Sequence, residues 1–230
     1  MKISVFMPSY NKGGFAVEAV QSVIAQDDKH KDWELWLMEN STDTKTRKLL
    51  KTFALGEDPR IKYLELDLGP EIRDYHAIAP YLMNKYYRQA TGDIIMYLSD
   101  DDLFMPYLFR FVSDHFEDHP LDEAVYFDMA RTNATRPGTG TTWSEAFASI
   151  CASVPRVKGH LYCQVDGGQV AYRKSVLSRL PEKFMYDELG PQARACDGLH
   201  LEDIAEAGVV FQPLPYRGLI HRHTKLSLWN

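Results

Sequence analysis

The chain has 230 residues, of which 45% are hydrophobic and 25% charged, a composition that predicts one domain with a full core. Its net charge of −6 argues against a general nucleic-acid or membrane-surface binder, although a local basic patch is compatible with that total. No stretch approaches the ~20 apolar residues of a membrane helix. The three separated cysteines fit a reducing compartment, so we expect a cytoplasmic protein with no membrane partner.

Short apolar runs alternate with helical patterns through the first half of the chain. Strands are predicted at 3–7, 33–38, 61–66 and 94–98, and helices at 15–24, around 48–53 and at 77–90. Strands that alternate with helices indicate a mostly parallel sheet with helices on both faces, an α/β fold. Ligands of such sheets collect at the carboxyl ends of the strands. This edge would gather 9–11, 39–40 and 100–102.

The second half of the chain is less regular. A helix is predicted at 108–116, a strand at 124–129 and a possible helix at 146–154. The Thr-, Gly- and Pro-rich composition after residue 131 predicts a long mobile loop over 131–160. A turn and strand at 165–173, a short helix at 174–180, a helix at 197–207 closed by Gly208 and a last strand at 209–211 complete the prediction.

Three consecutive carboxylates, Asp100, Asp101 and Asp102, follow the predicted strand at 94–98. Such side chains repel one another when they are buried together, so a positive partner is expected beside them. Carboxylate oxygens suit a hard divalent cation, which commonly binds a diphosphate as well. The competing interpretation is an acidic turn in which Asp102 only caps the next helix.

In motif order the sequence resembles the family 2 glycosyltransferases, inverting enzymes with the GT-A nucleotide-sugar fold. Residues 3–11 resemble the first strand and its Pro-Ser-Tyr-Asn turn, 37–43 the nucleotide-recognition turn, 100–101 the metal-binding acidic element and 165–173 the acceptor-side turn. The resemblance covers about residues 3–227. In size and motif order the chain is similar to the family's bacterial spore-coat polysaccharide enzymes. It implies one GT-A domain, with a nucleotide-sugar-binding half at 1–105 and a smaller acceptor-binding half at 106–230.

The resemblance also implies roles for individual residues. The candidate donor-binding residues are Pro8, Ser9, Tyr10, Asn11, Glu39, Asn40, Arg73, Asp100 and Gly168. Asp101, Asp102 and His223 are the candidate ligands of a Mn²⁺ or Mg²⁺ cofactor, and Arg217 and Arg222 are further candidate phosphate contacts. Asp197, eleven residues before Gly208, takes the place of the catalytic base.

Two departures from the family pattern affect these assignments. The nucleotide turn has Glu39-Asn40 where two aspartates are usual, so Glu39 is equally compatible with an ordinary strand-end carboxylate. The helix that starts near Asp197 has Leu201-Glu202-Asp203 in place of the family's Leu-Trp-Arg, which leaves Glu202 and Asp203 as competing bases. Capping of that helix is the alternative role for Asp197.

The implied function is metal-dependent, inverting transfer of a sugar from a nucleotide diphosphate, with UDP expected, to a hydroxyl acceptor. A saccharide, a small molecule and a hydroxymethylated DNA base all remain as acceptor classes, since Arg131, Arg136, Arg156 and Lys158 could form a local basic rim. The alternatives are a non-catalytic nucleotide-sugar binder and a nucleotidyltransferase, for which the first turn lacks the usual glycines and basic residues.

Overall fold

Eight strands form a single sheet in the computed structural model, which describes residues 1–28, 30–134, 164–183, 185–189 and 196–224. In chain order they are β1 (Ile3–Ser9), β2 (Trp33–Glu39), β3 (Ile61–Glu65), β4 (Ile94–Tyr97), β5 (Leu103–Phe104), β6 (Ala124–Ala134), β7 (Val170–Arg173) and β8 (Phe211–Thr224). Their order across the sheet is β3-β2-β1-β4-β7-β6-β8-β5.

Strand direction follows the predicted pattern in the first half of the chain. β3, β2, β1 and β4 are parallel neighbours. β7 is antiparallel to both β4 and β6, β8 runs parallel to β6, and the two-residue β5 is antiparallel to β8. The prediction of an α/β fold with a mostly parallel sheet is therefore confirmed.

Helices cover both faces of this sheet. They are α1 (Gly14–Ile24), α2 (Thr44–Glu57), α3 (Pro70–Arg73), α4 (Ile78–Tyr86), α5 (Leu108–Asp118) and α6 (Cys196–Glu206). Successive side chains of β1 point to opposite faces, as in any strand. Val5 and Met7 pack with α1, α2 and α5, and Phe6 packs with α4 and α6. Every residue of β1 and β2 is buried, and both strands are mostly apolar because helices cover them on both faces.

Two helix ends illustrate how local sequence sets these boundaries. Asp43 caps α2 by accepting hydrogen bonds from the N–H groups of Lys45 at 3.1 Å and Thr46 at 3.0 Å. Beyond α6, Gly208 has a φ of 87°, the left-handed conformation that glycine adopts without a steric penalty. The predicted closure of this helix at Gly208 is confirmed.

The end of the chain differs most from the prediction. In place of a short strand at 209–211, β8 continues from Phe211 to Thr224, and β6 continues to Ala134, so 131–134 is strand and not loop. The reason is non-local, since residues 130–134 pair one for one with 220–224. The rest of the predicted mobile loop and the predicted helix at 146–154 lie outside the described residues. Among the described residues, no helix has the length and apolar character needed to cross a bilayer.

Candidate active site

The carboxyl ends of β1, β2 and β4 meet at one edge of the sheet. Ser9 and Glu39 are paired neighbours at the ends of β1 and β2. The N–H of Asn40 donates to the carbonyl oxygen of Ser9 at 3.0 Å. The N–H of Tyr10 donates to Asp100 Oδ2 at 2.8 Å, which joins the end of β1 to the segment after β4. The predicted convergence of these three polar segments is confirmed, and Pro8 is buried within β1 just before them.

Asn11 holds the turn after β1 against the turn after β2. Its backbone adopts a positive φ of 55°, a conformation that asparagine tolerates better than most residues. Its N–H donates to Ser41 Oγ at 2.8 Å, its Nδ2 donates to Thr42 Oγ1 at 3.0 Å, and its Oδ1 accepts from the N–H of Asp43 at 2.9 Å. These hydrogen bonds join the turn after β1 and the turn after β2 into one surface, formed by residues 9–11 and 39–43 and called the wall below.

Glu39 carries an oxygen that has no hydrogen-bond partner among the residues that the structure describes. The residue is fully buried. Its Oε1 accepts a hydrogen bond from the N–H of Ser41, but no donor within the described ranges reaches Oε2. Burying a carboxylate oxygen without a donor is costly. Such an atom is typical of a position where a bound ligand supplies the missing donor.

Arg73 lies beside this wall although it is 33 residues from Asn40 along the chain. Its Nη2 donates to the carbonyl oxygen of Asn40 at 2.6 Å, and its Nε donates to that of Leu68 at 2.7 Å. The guanidinium carbon lies 5.3 Å from the centre of the Tyr10 ring, and Tyr10 is 40% exposed. The structure thus brings Arg73, Tyr10 and Asn40 together around an open surface.

The three consecutive carboxylates face different partners. Asp101 Oδ2 lies 2.5 Å from Lys12 Nζ and accepts from Thr224 Oγ1 at 3.1 Å. Asp102 Oδ1 accepts from the N–H of Arg222 at 2.8 Å, and its Oδ2 lies 3.1 Å from His221 Nδ1. The predicted positive partners are present, and they come from the loop after β1 and from β8.

Burial sets the protonation behaviour of this cluster. Burial and the charge of Asp101 raise the pKa of Asp100 to about 7. Burial also raises the pKa of Asp102, while the hydrogen bond to Asp102 raises the pKa of His221. Burial thus makes Asp100 and Asp102 costly to ionise, and the third carboxylate, Asp101, lies beside the Lys12 ammonium. In charge and in oxygen chemistry the carboxylates fit a divalent cation.

β8 presents alternate side chains to two sides of the acidic cluster. Arg222 and Thr224 are buried and contact Asp101, whereas His221 faces Asp102. His223 is exposed, with its ring centre 4.8 Å from that of His221. Because side chains alternate along a strand, His223 projects on the side of His221 and not on the side of Thr224.

The two arginines of β8 both pair with carboxylates of the chain. Arg222 is buried, with its guanidinium on Glu18 and on the carbonyl oxygen of Phe15. Arg217 pairs with Asp128 at 2.9 Å. Arg222 therefore ties β8, α1 and the carbonyl oxygen of Asp101 together.

Asp197 lies at the same edge as the strand ends. In the first turn of α6, its Oδ2 accepts from the N–H of Gly167 at 3.3 Å. A Cβ added to Gly167 would lie 3.0 Å from the Cβ of Asp197 and 3.7 Å from Tyr97, the last residue of β4. Asp197 thus approaches the end of the strand that leads into Asp100. Burial and the charge of Asp197 raise the pKa of the adjacent Asp166 to about 6.

The other candidate bases and Gly168 occupy different surroundings. Burial and the charges of Glu206 and Glu202 raise the pKa of Asp203, further along α6. Gly168 is buried; its N–H donates to Asp166 Oδ1 at 2.8 Å, and an added Cβ would lie 3.1 Å from Leu219. Gly168 therefore packs closely against the Leu219 side chain of β8.

Sequence reasoning assigned no role to Lys12. The signal was available, because Lys12 directly follows Asn11 in the loop that leaves β1 at the ligand edge. What the sequence did not reveal was its partner, since Asp101 is 89 residues away.

Comparison with known proteins identifies the family of this arrangement. The family model described as glycosyl transferase family 2 matches residues 4–180, most of the chain. The chain belongs to glycosyl transferase family 2. Within this family it is similar to Protein CgeD of Bacillus subtilis (strain 168), with 28% identity over 183 residues that make up 80% of this chain and 41% of CgeD.

Two solved structures agree with this architecture. S. aureus TarS residues 1–349 in complex with UDP-GlcNAc matches with a TM-score of 0.68 and 17% identity, over 99% of this chain and 60% of that one. The mannosyltransferase PcManGT from Pyrobaculum calidifontis, in complex with GDP-Man and Mn²⁺, matches with a TM-score of 0.60 and 17% identity, over 96% and 56%. The GT-A fold predicted for this family 2 chain is thus confirmed, and the chain spans about half the length of these proteins.

Proposed function

We propose that the chain is a glycosyltransferase that moves a sugar from a nucleotide diphosphate, with UDP as the expected nucleotide, to an acceptor hydroxyl with inversion at the anomeric carbon. The observation that carries the proposal is the unpartnered, buried Oε2 of Glu39, at the same strand-end edge as Asp101. Family membership supports it, and so does the fold match to TarS, whose structure holds UDP-GlcNAc.

The wall formed by the first two turns would bind the nucleoside. Glu39 Oε2 would accept a hydrogen bond from a ribose hydroxyl or from the base. Tyr10 is 40% exposed and would stack with the base, next to Arg73, whose guanidinium carbon lies 5.3 Å from the ring centre. Ser9, Asn11 and Asn40 fix the shape of the wall through the bonds described above. Stacking and one directed hydrogen bond together would give affinity and orientation.

The acidic segment at 100–102 would hold the cation that neutralises the charge of the diphosphate. Asp101, with Asp102 and His223 as further candidate ligands, would hold a Mn²⁺ or Mg²⁺ ion that neutralises the leaving group. The Mn²⁺ in PcManGT supports a divalent ion in this fold. Lys12 would turn its ammonium from Asp101 to a phosphate oxygen as the donor binds. Asp100, which holds the N–H of Tyr10, would keep the first turn in register with the acidic segment.

Asp197 would act as the general base. Its carboxylate would take the proton of the acceptor hydroxyl while that oxygen bonds to the anomeric carbon. The bond from that carbon to the diphosphate oxygen breaks with its electron pair, and the nucleoside diphosphate leaves from the opposite side. The N–H of Gly167 orients the carboxylate at 3.3 Å. Residues 106–230 would then supply the acceptor side, as the division of the domain predicts.

A thermal-shift and turnover panel tests the proposal. The chain would be heated with UDP-, GDP- and dTDP-sugars, each with and without Mn²⁺, because a ligand that binds only the folded state raises the Tm. We expect one nucleotide family to raise the Tm, more so with Mn²⁺, and the matching sugar donor to release its nucleoside diphosphate with saccharide acceptors. A Tm shift without turnover on saccharide, small-molecule or hydroxymethylated DNA acceptors would identify a binder. No Tm shift with any donor would refute the proposal.

A further inference from the structure

A second group of side chains that could bind a metal lies at the other end of the strands, opposite the carboxyl ends that carry the candidate active site. His115 is in the last turn of α5, His119 follows that helix, and Asp122 belongs to the turn that leads into β6. One ligand atom from each of the three lies within 4.8 Å of those of the other two, and the part of the chain that the structure describes offers this one such group. β6 runs parallel to β4, so its start lies far from the strand ends that carry Asp101.

The hydrogen bonds of the two histidines suit metal ligation. His119 Nδ1 lies 3.0 Å from the carbonyl oxygen of His115. A carbonyl oxygen only accepts, so Nδ1 carries the hydrogen and Nε2 keeps its lone pair. A histidine that ligates a metal usually donates its other ring nitrogen to a carbonyl or carboxylate in this way. His115 Nε2 lies 2.9 Å from Asp122 Oδ2, so an imidazole and a carboxylate already face each other.

The backbone around the group is held in place from β7. Arg173 Nε donates to the carbonyl oxygen of Asp122 at 2.8 Å, and its Nη2 donates to that of Phe116 at 2.8 Å. The N–H of Asp122 donates to the carbonyl oxygen of His119 at 3.0 Å, which closes the turn. Both segments that carry the ligands are therefore fixed to one arginine.

The three candidate ligand atoms are only slightly further apart than the ligand atoms of a bound metal ion, since they lie within 4.8 Å of one another. Ligands at about 2.0–2.1 Å from a tetrahedral Zn²⁺ are about 3.4 Å from one another. The rings of His115, in the last turn of α5, and His119, the residue that follows α5, are stacked with their centres 4.5 Å apart. His119 is exposed and the other two side chains are half-buried, so an ion can reach the group from solvent.

We propose that His115, His119 and Asp122 form a second cation site, which takes a late first-row divalent ion and has Zn²⁺ as its best match. Two imidazoles and one carboxylate favour Zn²⁺, Co²⁺ or Ni²⁺, whereas Mg²⁺ and Mn²⁺ favour the oxygen-rich edge at Asp101. The ion would tie the end of α5 to the turn before β6. It would stabilise the fold without touching the donor site, so the proposal does not depend on the proposed function.

Co²⁺ titration of the EDTA-treated chain tests this site. The titration would run in millimolar Mg²⁺, which competes at the oxygen-rich edge, and would follow the visible absorption of tetrahedral Co²⁺, with Zn²⁺ displacing it. We expect one saturable equivalent and a rise in Tm with Zn²⁺. His119→Gln should weaken binding more than about a hundredfold, since loss of a mere outer-shell partner already costs 10–100-fold. His119 is exposed, so this variant should fold.

Matched variants distinguish this site from ordinary histidine binding. His30→Gln removes a histidine outside the group, and His223→Gln removes the one beside the acidic edge. Both should keep the Co²⁺ signal, and Asp122→Asn should weaken it. Loss of the signal in His223→Gln but not in His119→Gln would overturn the proposal, as would wild-type protein with no saturable Co²⁺ binding.

Discussion

Asp197 and Gly167 are in direct contact. The carboxylate accepts the Gly167 N–H at 3.3 Å, and a methyl group on Gly167 would come to 3.0 Å from the Asp197 Cβ. The start of α6 is thereby held against the turn before β7, beside Tyr97 at the end of β4. This contact brings the candidate base and the acidic segment to one edge of the sheet.

Replacing the candidate base should abolish turnover without affecting donor binding. For Asp197→Asn we expect kcat to fall about 10²–10⁴-fold, the usual contribution of a positioned base, because the amide cannot accept the proton. The Tm shift with the nucleotide sugar should stay as in wild type. Glu202→Gln and Asp203→Asn are the controls and should keep most of the activity. If either of them is inactive and Asp197→Asn is not, the base is misassigned.

A methyl group on Gly167 should misplace the base. In Gly167→Ala the new Cβ would lie 3.0 Å from the Asp197 Cβ, which is closer than an ordinary van der Waals contact, so we expect the Asp197 side chain to shift. A shift of about 1 Å can cost up to 10²-fold in rate, and we expect kcat to fall with donor KM nearly unchanged. Gly56→Ala is the matched control, because no atom lies within 4 Å of its added Cβ. Equal kcat for the two variants would show that the contact has no role in turnover.

Neutralising Glu39 should have opposite effects on stability and on nucleotide affinity. Glu39→Gln replaces a buried carboxylate, whose Oε2 has no donor within the described part of the chain, with a neutral amide that costs less to bury. We expect an unchanged or higher Tm for the free protein and at least a tenfold weaker nucleotide affinity by calorimetry. Glu65→Gln, at the end of the neighbouring strand and paired with Lys51 near the surface, should change neither quantity. Undiminished affinity in Glu39→Gln would remove Glu39 from the donor site.

Removing the Lys12 ammonium should strengthen divalent-ion binding by the free protein. A unit charge about 4 Å away contributes up to about 4 kcal/mol near a protein surface. If a third of this energy opposes the metal, the ammonium weakens Mn²⁺ affinity roughly tenfold. We therefore expect Lys12→Met to bind Mn²⁺ about tenfold more tightly, measured by electron paramagnetic resonance of free Mn²⁺. The control is Lys51→Met, whose ammonium pairs with Glu65 away from the acidic segment. Weaker Mn²⁺ binding in Lys12→Met would contradict competition between the ammonium and the metal.

The buried carboxylate of Glu34 should make stability depend on pH. Burial by itself would raise the pKa of Glu34, but hydrogen bonds from Lys62, Thr91 and Trp36 outweigh it and hold this pKa far below its ordinary value of 4.5. The unfolded chain then binds more protons, so the stabilisation is complete above pH 4.5 and is lost as the pH falls below it.

We expect Glu34→Gln to lower the free energy of unfolding by about 3 kcal/mol at pH 7, because it removes the buried charge to which Lys62, Thr91 and Trp36 donate hydrogen bonds. Urea unfolding at pH 7 and pH 3 measures this, and the difference between variant and wild type should shrink at pH 3. The exposed Glu65→Gln should stay within about 0.5 kcal/mol of wild type at both values. A difference that grows toward acid pH would mean that the sign is wrong.

The features that local chemistry encodes were predictable. The buried runs of β1, β2 and β4, the polar residues at their ends and the closure at Gly208 follow from neighbouring residues along the chain. Parallel strands then place Ser9, Glu39 and Asp100 at one edge, since every such strand ends on the same side. The likeness to a known family supplied Asp197, which spacing alone would have left as a helix cap.

Contacts between distant segments were decided by the tertiary structure. Pairing of β6 with β8 turned a predicted loop and a short last strand into long strands, and it brought His221 to Asp102, 119 residues away. Lys12 meets Asp101 across 89 residues, and Arg73 meets Asn40 across 33. The sequence alone determined which strand ends are acidic or polar. Which cation, histidine or backbone amide meets each carboxylate depended on strand order, because hydrogen bonds and ion pairs act over a few ångströms in space, whatever the separation along the chain.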